Sequence, residues 1–194
     1  MADYNIISDV QEAIIKLLRT GLVPDIIPNS EGIGACHPSD RGDVSLGIFL
    51  YDIKRDTAVA MPERTAVGTR AMRAPSMFLD LYFMLTAYSS SDIKFRSLEE
   101  AKITGRAMQI LESNPVLRGS VFGKPFTELS HEPRLELLEL DAEEKNRIWN
   151  VPNVPYKLSL FYKVYPVELV SEKITAITRV TETDITVGQI KPAE

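Results

Sequence analysis

The sequence predicts an α+β fold: a single, mostly antiparallel sheet flanked by two main helices, with a long charged loop and a β-prone C-terminal arm. Three observations carry this. Apolar residues recur at helical spacing in two segments, one opening near residue 8 and one near residue 97. Residues 44–53, 75–89 and 156–169 are extended runs rich in branched and aromatic side chains. The stretches between them hold Pro and Gly at a density that continuous elements do not tolerate.

The first helix is signalled by Ser8-Asp9-Val10-Gln11, a capping-box pattern, followed by Val10, Ala13, Ile14, Leu17 and Leu18 on one face. Gly21 is its expected C-cap. Residues 22–43 contain Pro24, Pro28, Gly32, Gly34, Pro38 and Gly42 and read as turns. The near-continuous apolar character of 44–53 predicts a strand buried on both faces. Residues 54–74 read as a long loop. From 75 to 89, strict alternation places Met77, Leu79, Leu81, Phe83 and Leu85 on the core face, and Phe78, Asp80, Tyr82, Met84 and Thr86 on the other. Ser97-Leu98-Glu99-Glu100 is a second capping-box pattern. It predicts a helix to about Asn114 with Leu98, Ala101, Ala107, Met108 and Leu111 buried, Gly105 allowing close approach to the sheet, and Pro115 as the stop. A short strand at 135–140 and a short helix capped by Asp141-Ala142-Glu143-Glu144 follow. The third long strand, 156–169, places Pro166 at an edge or bulge.

Residues 1–170 are thus expected to form one domain. Residues 171–194 change character: threonines interleave with Ile174, Ile177, Val180, Ile185 and Val187, giving high β propensity with few large anchoring side chains. Such a segment is either an edge strand of the same domain or an arm that pairs with another chain.

With 44% hydrophobic and 25% charged residues, the 194-residue chain can build a real core. No apolar run is long enough to cross a bilayer, and Met1-Ala2-Asp3-Tyr4 has no basic and apolar leader pattern, so cytoplasmic synthesis and no membrane partner are expected. The single cysteine, Cys36, permits no internal disulfide. A net charge of −5 argues against nucleic acid. The charge is uneven, however. Residues 54–75 carry five cations, Arg64, Arg70 and Arg73 among them, against two anions, whereas 128–144 carry seven acids, including Glu136 and Glu139, against one arginine. Opposite patches of this kind suit a head-to-tail contact between copies.

Catalytic patterns are sparse. His37 and His131 lie far apart in Pro-containing loops, and Cys36-His37 has no second pair of metal ligands. A Cys36–His131 dyad has no local motif behind it. Gly32-Ile33-Gly34 lacks the third glycine of a dinucleotide fingerprint, and no P-loop occurs. Glu143 and Glu144 are explained by a helix first turn. Neither a catalytic residue, a metal nor a cofactor is assigned. The remaining classes are a structural subunit, a small ligand- or nucleic-acid-binding module, or an enzyme of unrecognised type.

Four stretches together carry a family resemblance: Ile6-Ile7-Ser8-Asp9-Val10; the strand from Leu79-Asp80-Leu81 to Ala87-Tyr88; Met108-Gln109-Ile110-Leu111-Glu112-Ser113-Asn114-Pro115; and Arg147-Ile148-Trp149-Asn150 leading into Pro155-Tyr156-Lys157-Leu158. In order and spacing they resemble the N-terminal domain of cap, or tail-terminator, proteins of extracellular contractile injection systems of the antifeeding-prophage and virulence-cassette type. The resemblance implies a hexameric ring that ends a phage-tail-like particle and touches its inner tube and sheath proteins. It also implies assembly in the cytoplasm, a particle released from the cell, and no enzyme activity or cofactor.

Overall fold

The computed structural model describes residues 4–59, 63–124, 126–150, 152 and 154–177. The first helix, α1 (Ile6–Leu22), starts two residues before the expected cap. Asn5 is its N-cap, and Ser8 donates its hydroxyl to the Asn5 carbonyl (2.7 Å). Ile6, Val10, Ala13, Ile14, Leu18 and Leu22 are buried along its inner face. Gly21 is not the C-cap. It lies where α1 meets the second long helix, and a Cβ there would come within 2.6 Å of the Ile110 side chain.

A short 3₁₀ turn, Ser30–Gly32, leads into β1 (Ile33–Ala35), a strand the turn-rich sequence did not suggest. It pairs in parallel with β2 (Leu46–Arg55), and Arg19 of α1 donates to its Ile33 carbonyl (2.7 and 3.2 Å). Beyond β2 the charged loop is partly a hairpin of β3 (Thr65–Val67) and β4 (Ala71–Arg73). Next come β5 (Met77–Ala87), the second long helix α2 (Ile93–Ser113), a one-turn α3 (Gly119–Phe122) and β6 (Arg134–Leu137). The chain continues through α4 (Ala142–Ile148), β7 (Ser159–Leu169) and β8 (Ile174–Ala176).

The main sheet has the order β1-β2-β5-β7-β6, antiparallel except for the first pair. A smaller sheet, β3-β4-β8, is an addition to the expected single sheet. The two are joined. The β5–β7 ladder ends at Met77 opposite Leu169; Ala74 N–H then donates to the Lys173 carbonyl (2.8 Å), and β4 resumes pairing with β8 at Arg73 opposite Ile174. The same two chain segments therefore run as one ribbon out of the domain, with β3 on the far side of β4. Pro166 sits at an irregularity of that ribbon: Leu79 opposes Val167 and Leu81 opposes Val164, so β7 carries one residue more than β5.

One face of the main sheet is covered by α1 and α2, and the core lies between them: Leu46, Ile48, Leu79, Leu81, Phe83 and Leu85 meet Val10, Ile14, Leu18, Ala107 and Leu111. Met77, expected on this face, is exposed because β5 runs past the helices there. The α2 stripe differs from expectation. The helix begins at Ile93, with Asp92 as N-cap, and its buried residues are Ile103, Ala107, Ile110 and Leu111; Leu98, Ala101 and Met108 face solvent. Gly105 faces open space and packs on nothing. The other face of the sheet carries a smaller cluster in which Met84 and Phe161 are sealed by Trp149, with Ile148 beside it. That places α4 and α2 on opposite faces. The predicted Asp141 cap is present as a full capping box: Glu144 N–H donates to Asp141 (2.8 Å) and Asp141 N–H to Glu144 (3.0 Å).

At the edge of the fold, Ser130 donates from its backbone N–H (2.9 Å) and hydroxyl (2.6 Å) to Glu168 Oε2. Burial raises the Glu168 carboxyl, but hydrogen bonds from Ser130 and Ser76 and the charge of His131 outweigh it and hold the group below the usual carboxylate range. A carboxyl depressed in the folded state contributes stability above its unfolded pKa and loses it as pH falls through the folded one. Denaturant titrations from about pH 6 to about pH 3 should show this loss, and Glu168→Gln should flatten that limb of the profile.

Candidate functional site

Cys36 and the two histidines do not assemble into a common site. Cys36 lies at the end of β1 beside Gly47 and Tyr88, and burial, then Asp40, push its thiol up, away from the reactive thiolate. His131 packs edge-on against Phe78, at the opposite end of β5, roughly 30 Å away along the strand. His37 is occupied by Ser39 (2.5 Å) and by the Phe49 ring. Among the described residues no group of three or more His, Cys, Asp or Glu side chains is placed to hold a metal. Among them, too, no helix is long and apolar enough to cross a membrane. An open groove of about 990 Å³ lies between α2 and the loop after α1, with Ile27, Tyr88, Glu99, Lys102 and Arg106 in its wall. Two of its groups are shifted away from acid–base work near neutrality. Burial pushes the Tyr88 hydroxyl up to about 12, and hydrogen bonds from Ser89 and Ser91 hold Glu99 low.

Glu136 and Glu139 of the acidic segment lie away from the small sheet that carries the arginines. Arg64 and Arg70 are exposed on the small sheet, and Arg73 is half-buried there with no acceptor for its Nε among the described residues. Glu136 lies on β6, opposite Lys163, where it accepts from the Tyr165 hydroxyl. Glu139 is exposed just beyond, next to Leu138, whose N–H donates to the Phe161 carbonyl (2.8 Å). From Phe161 to Ile174, the residue opposite Arg73, the ribbon spans roughly 40 Å. Glu139 and the arginines of one chain therefore do not neutralise each other. The structure brings Arg64, Arg70 and Arg73 together and sets Glu136 and Glu139 apart from them.

Of the apolar residues noted in the C-terminal segment, Ile174 is exposed in β8, and Ile177 N–H donates to the Arg70 carbonyl (2.9 Å). The start of this segment pairs with its own chain. Val180, Ile185 and Val187 lie outside the described residues.

Sequence reasoning missed one pair. Asp80 is buried, and its Oδ2 meets Lys163 Nζ at 2.9 Å on the sheet face away from α1 and α2, whereas its Oδ1 has no hydrogen-bond partner among the described residues. The available signal was a lone acid in an otherwise apolar or aromatic strand.

The family model described as the Pvc16 N-terminal domain matches residues 9–183. Among solved structures, the chain is similar to the sheath/tube terminator of the PVC extracellular contractile injection system in its extended state, with a TM-score of 0.69 at 18% identity over 97% of this chain and 65% of that one. It is also similar to the tube-terminating cap of the anti-feeding prophage, with a TM-score of 0.59 at 20% identity over 93% of this chain and 61% of that one. The chain spans just under two thirds of the length of these structures, and at such identities the likeness is one of fold. No curated protein sequence matches it.

Proposed function

The chain belongs to the Pvc16 N-terminal domain family, and from that premise we propose that it is a structural cap, or tail-terminator, subunit that ends the tube and sheath of a contractile, phage-tail-like injection particle. The observation that carries this is the correspondence of almost the whole chain, helices and sheet alike, with a sheath/tube terminator. The partners are further copies of itself, in a ring of six, and the tube and sheath proteins of the particle. Assembly is cytoplasmic, and no cofactor takes part.

Charge supports a ring. A heterologous contact joins two different surfaces of one subunit, and basic and acidic ends that are out of reach of each other within a chain are such surfaces. In this reading the small sheet, through Arg64, Arg70 and Arg73, meets the Glu136–Glu139 side of the neighbouring copy. Arg70→Glu with Arg73→Glu should weaken self-association about tenfold at low salt, and less as salt rises. Light scattering and sedimentation check this. A wild-type chain that stays monomeric with and without tube and sheath proteins overturns the ring.

Residues 171–194 are proposed to act beyond their own domain, with Ile185 and Val187 adding to a strand of a neighbouring cap or of the last sheath layer. Deleting 171–194 should leave a folded domain by circular dichroism, because β8 contributes nothing to the buried core. It should yield particles of uncontrolled length by electron microscopy. Unfolding of the truncated chain would instead assign the segment to its own core.

A further inference from the structure

Where β5 ends, an open pocket of about 390 Å³ lies between the loop after β1, the start of α2 and the segment that leads into β7. Each of the three contributes a cation to its wall: Arg41, Arg96 and Lys157. Among the described residues no carboxylate belongs to that wall. Tyr88, buried at the same place, holds two of the charges. The Arg41 guanidinium lies 5.0 Å and the Lys157 ammonium 5.6 Å from its ring centre.

Like charges gathered in a concavity repel one another and focus a positive field there, which favours a counter-ion. Lys157 is balanced, because its Nζ contacts Glu100 at 2.5 Å, and Glu100 also accepts from the Ser89 N–H (3.1 Å). Arg41 and Arg96 are not balanced. Neither forms an ion pair among the described residues, and the Arg96 guanidinium reaches only the Ser91 carbonyl, at 3.4 Å. Asp40 and Asp92, close to them in the chain, are exposed and stand outside the wall. Ser89 commits its hydroxyl proton to Glu99 (2.6 Å), which leaves the exposed Ser90 hydroxyl of the wall as a further donor.

We infer that this pocket binds a phosphate-type oxyanion, tetrahedral and doubly charged. Two guanidinium forks on separate segments suit such a group, whereas a lone carboxylate would balance only one of them. The pocket leaves room beyond the ion itself, so phosphate enters either free or as the ester of a small organic molecule. Held by Arg41, Arg96 and Lys157, the anion ties the start of α2 to the two segments beside it. It is a structural ligand that binds the folded chain and not the unfolded one. The inference does not depend on the cap reading.

The test uses the full chain in phosphate-free buffer at fixed ionic strength. Inorganic phosphate should raise the thermal midpoint with half-saturation at about 1 mM; sulfate should act alike and acetate should not. The protein should also broaden the phosphorus NMR signal of the ion. Arg41→Gln with Arg96→Gln should weaken binding about tenfold or more while circular dichroism stays unchanged, since both side chains are exposed. Glu100→Gln keeps an acceptor for the Ser89 N–H but removes the carboxylate beside Lys157, and should tighten phosphate binding about threefold. A phosphate effect that persists unchanged in the arginine double variant, or that acetate reproduces, overturns the inference. So does a phosphorus signal left undisturbed at about 10 mM phosphate. Glycerol phosphate identifies the source: tighter binding than inorganic phosphate assigns the pocket to an ester, and weaker binding assigns it to the free ion.

Discussion

Replacing Phe83 by alanine should cost ~3–5 kcal/mol of folding stability, the usual range for a large aromatic removed from a core. The ring is fully buried in the middle strand of the sheet, with Leu50 opposite on β2 and Tyr162 opposite on β7. Tyr162 is itself fixed by its hydroxyl, which donates to Glu112 of α2 (3.2 Å), so the walls of the resulting cavity have little freedom to collapse. Urea denaturation should show a lower midpoint with an unchanged slope. A loss below ~1 kcal/mol would mean that the sheet face assigned to the core is not the one that holds the fold together.

The second large effect belongs to Asp80 and Lys163. Burial lowers the Lys163 ammonium, but the hydrogen bond and charge of Asp80 outweigh it and raise the group above the usual lysine range. That stabilisation is complete below the unfolded lysine pKa and is lost only as pH rises through the folded one, so it is constant at neutral pH. Lys163→Met leaves the buried Asp80 carboxylate without a counter-charge. Breaking such a pair costs ~3–5 kcal/mol when fully buried; the partial exposure of Lys163 reduces this to about 2–3 kcal/mol. Asp80→Leu in the same chain should recover most of the loss, because an apolar pair carries no desolvation penalty. A double variant no more stable than Lys163→Met alone would contradict this account.

The long elements were legible because their patterns are dictated by burial. The alternation of Leu79, Leu81, Phe83 and Leu85 survives in the structure because one whole face of β5 lies under helices. Capping signals were less dependable. Asp141 caps α4 as its sequence suggests, whereas Ser8 and Ser97 sit inside helices that begin earlier. A box motif marks two residues, three apart, that can satisfy each other, and it does not forbid a further turn in front. The earlier start of α2 is also why Leu98 was misplaced in the core: its periodicity is helical, but no sheet lies beneath that turn. The strands β1, β3, β4 and β8 are three residues each, too short for a periodic pattern to mark, and β8 finds its partner β4 about a hundred residues earlier in the chain. Of the candidate interface, the sign of each charge was readable. The separation of the acidic and basic ends was not, because it follows from the length of the ribbon between them.

That ribbon has a mechanical consequence. The small sheet is not hung on the domain by a linker; its strands β4 and β8 are prolongations of β5 and β7, the central pair of the main sheet. Tension applied to it runs along strands whose hydrogen bonds lie across the direction of pull. Those bonds are strained in shear and must yield together, in contrast to a hairpin opened one rung at a time. A force on the projecting end is therefore carried by β5 and β7 directly into the buried centre of the subunit.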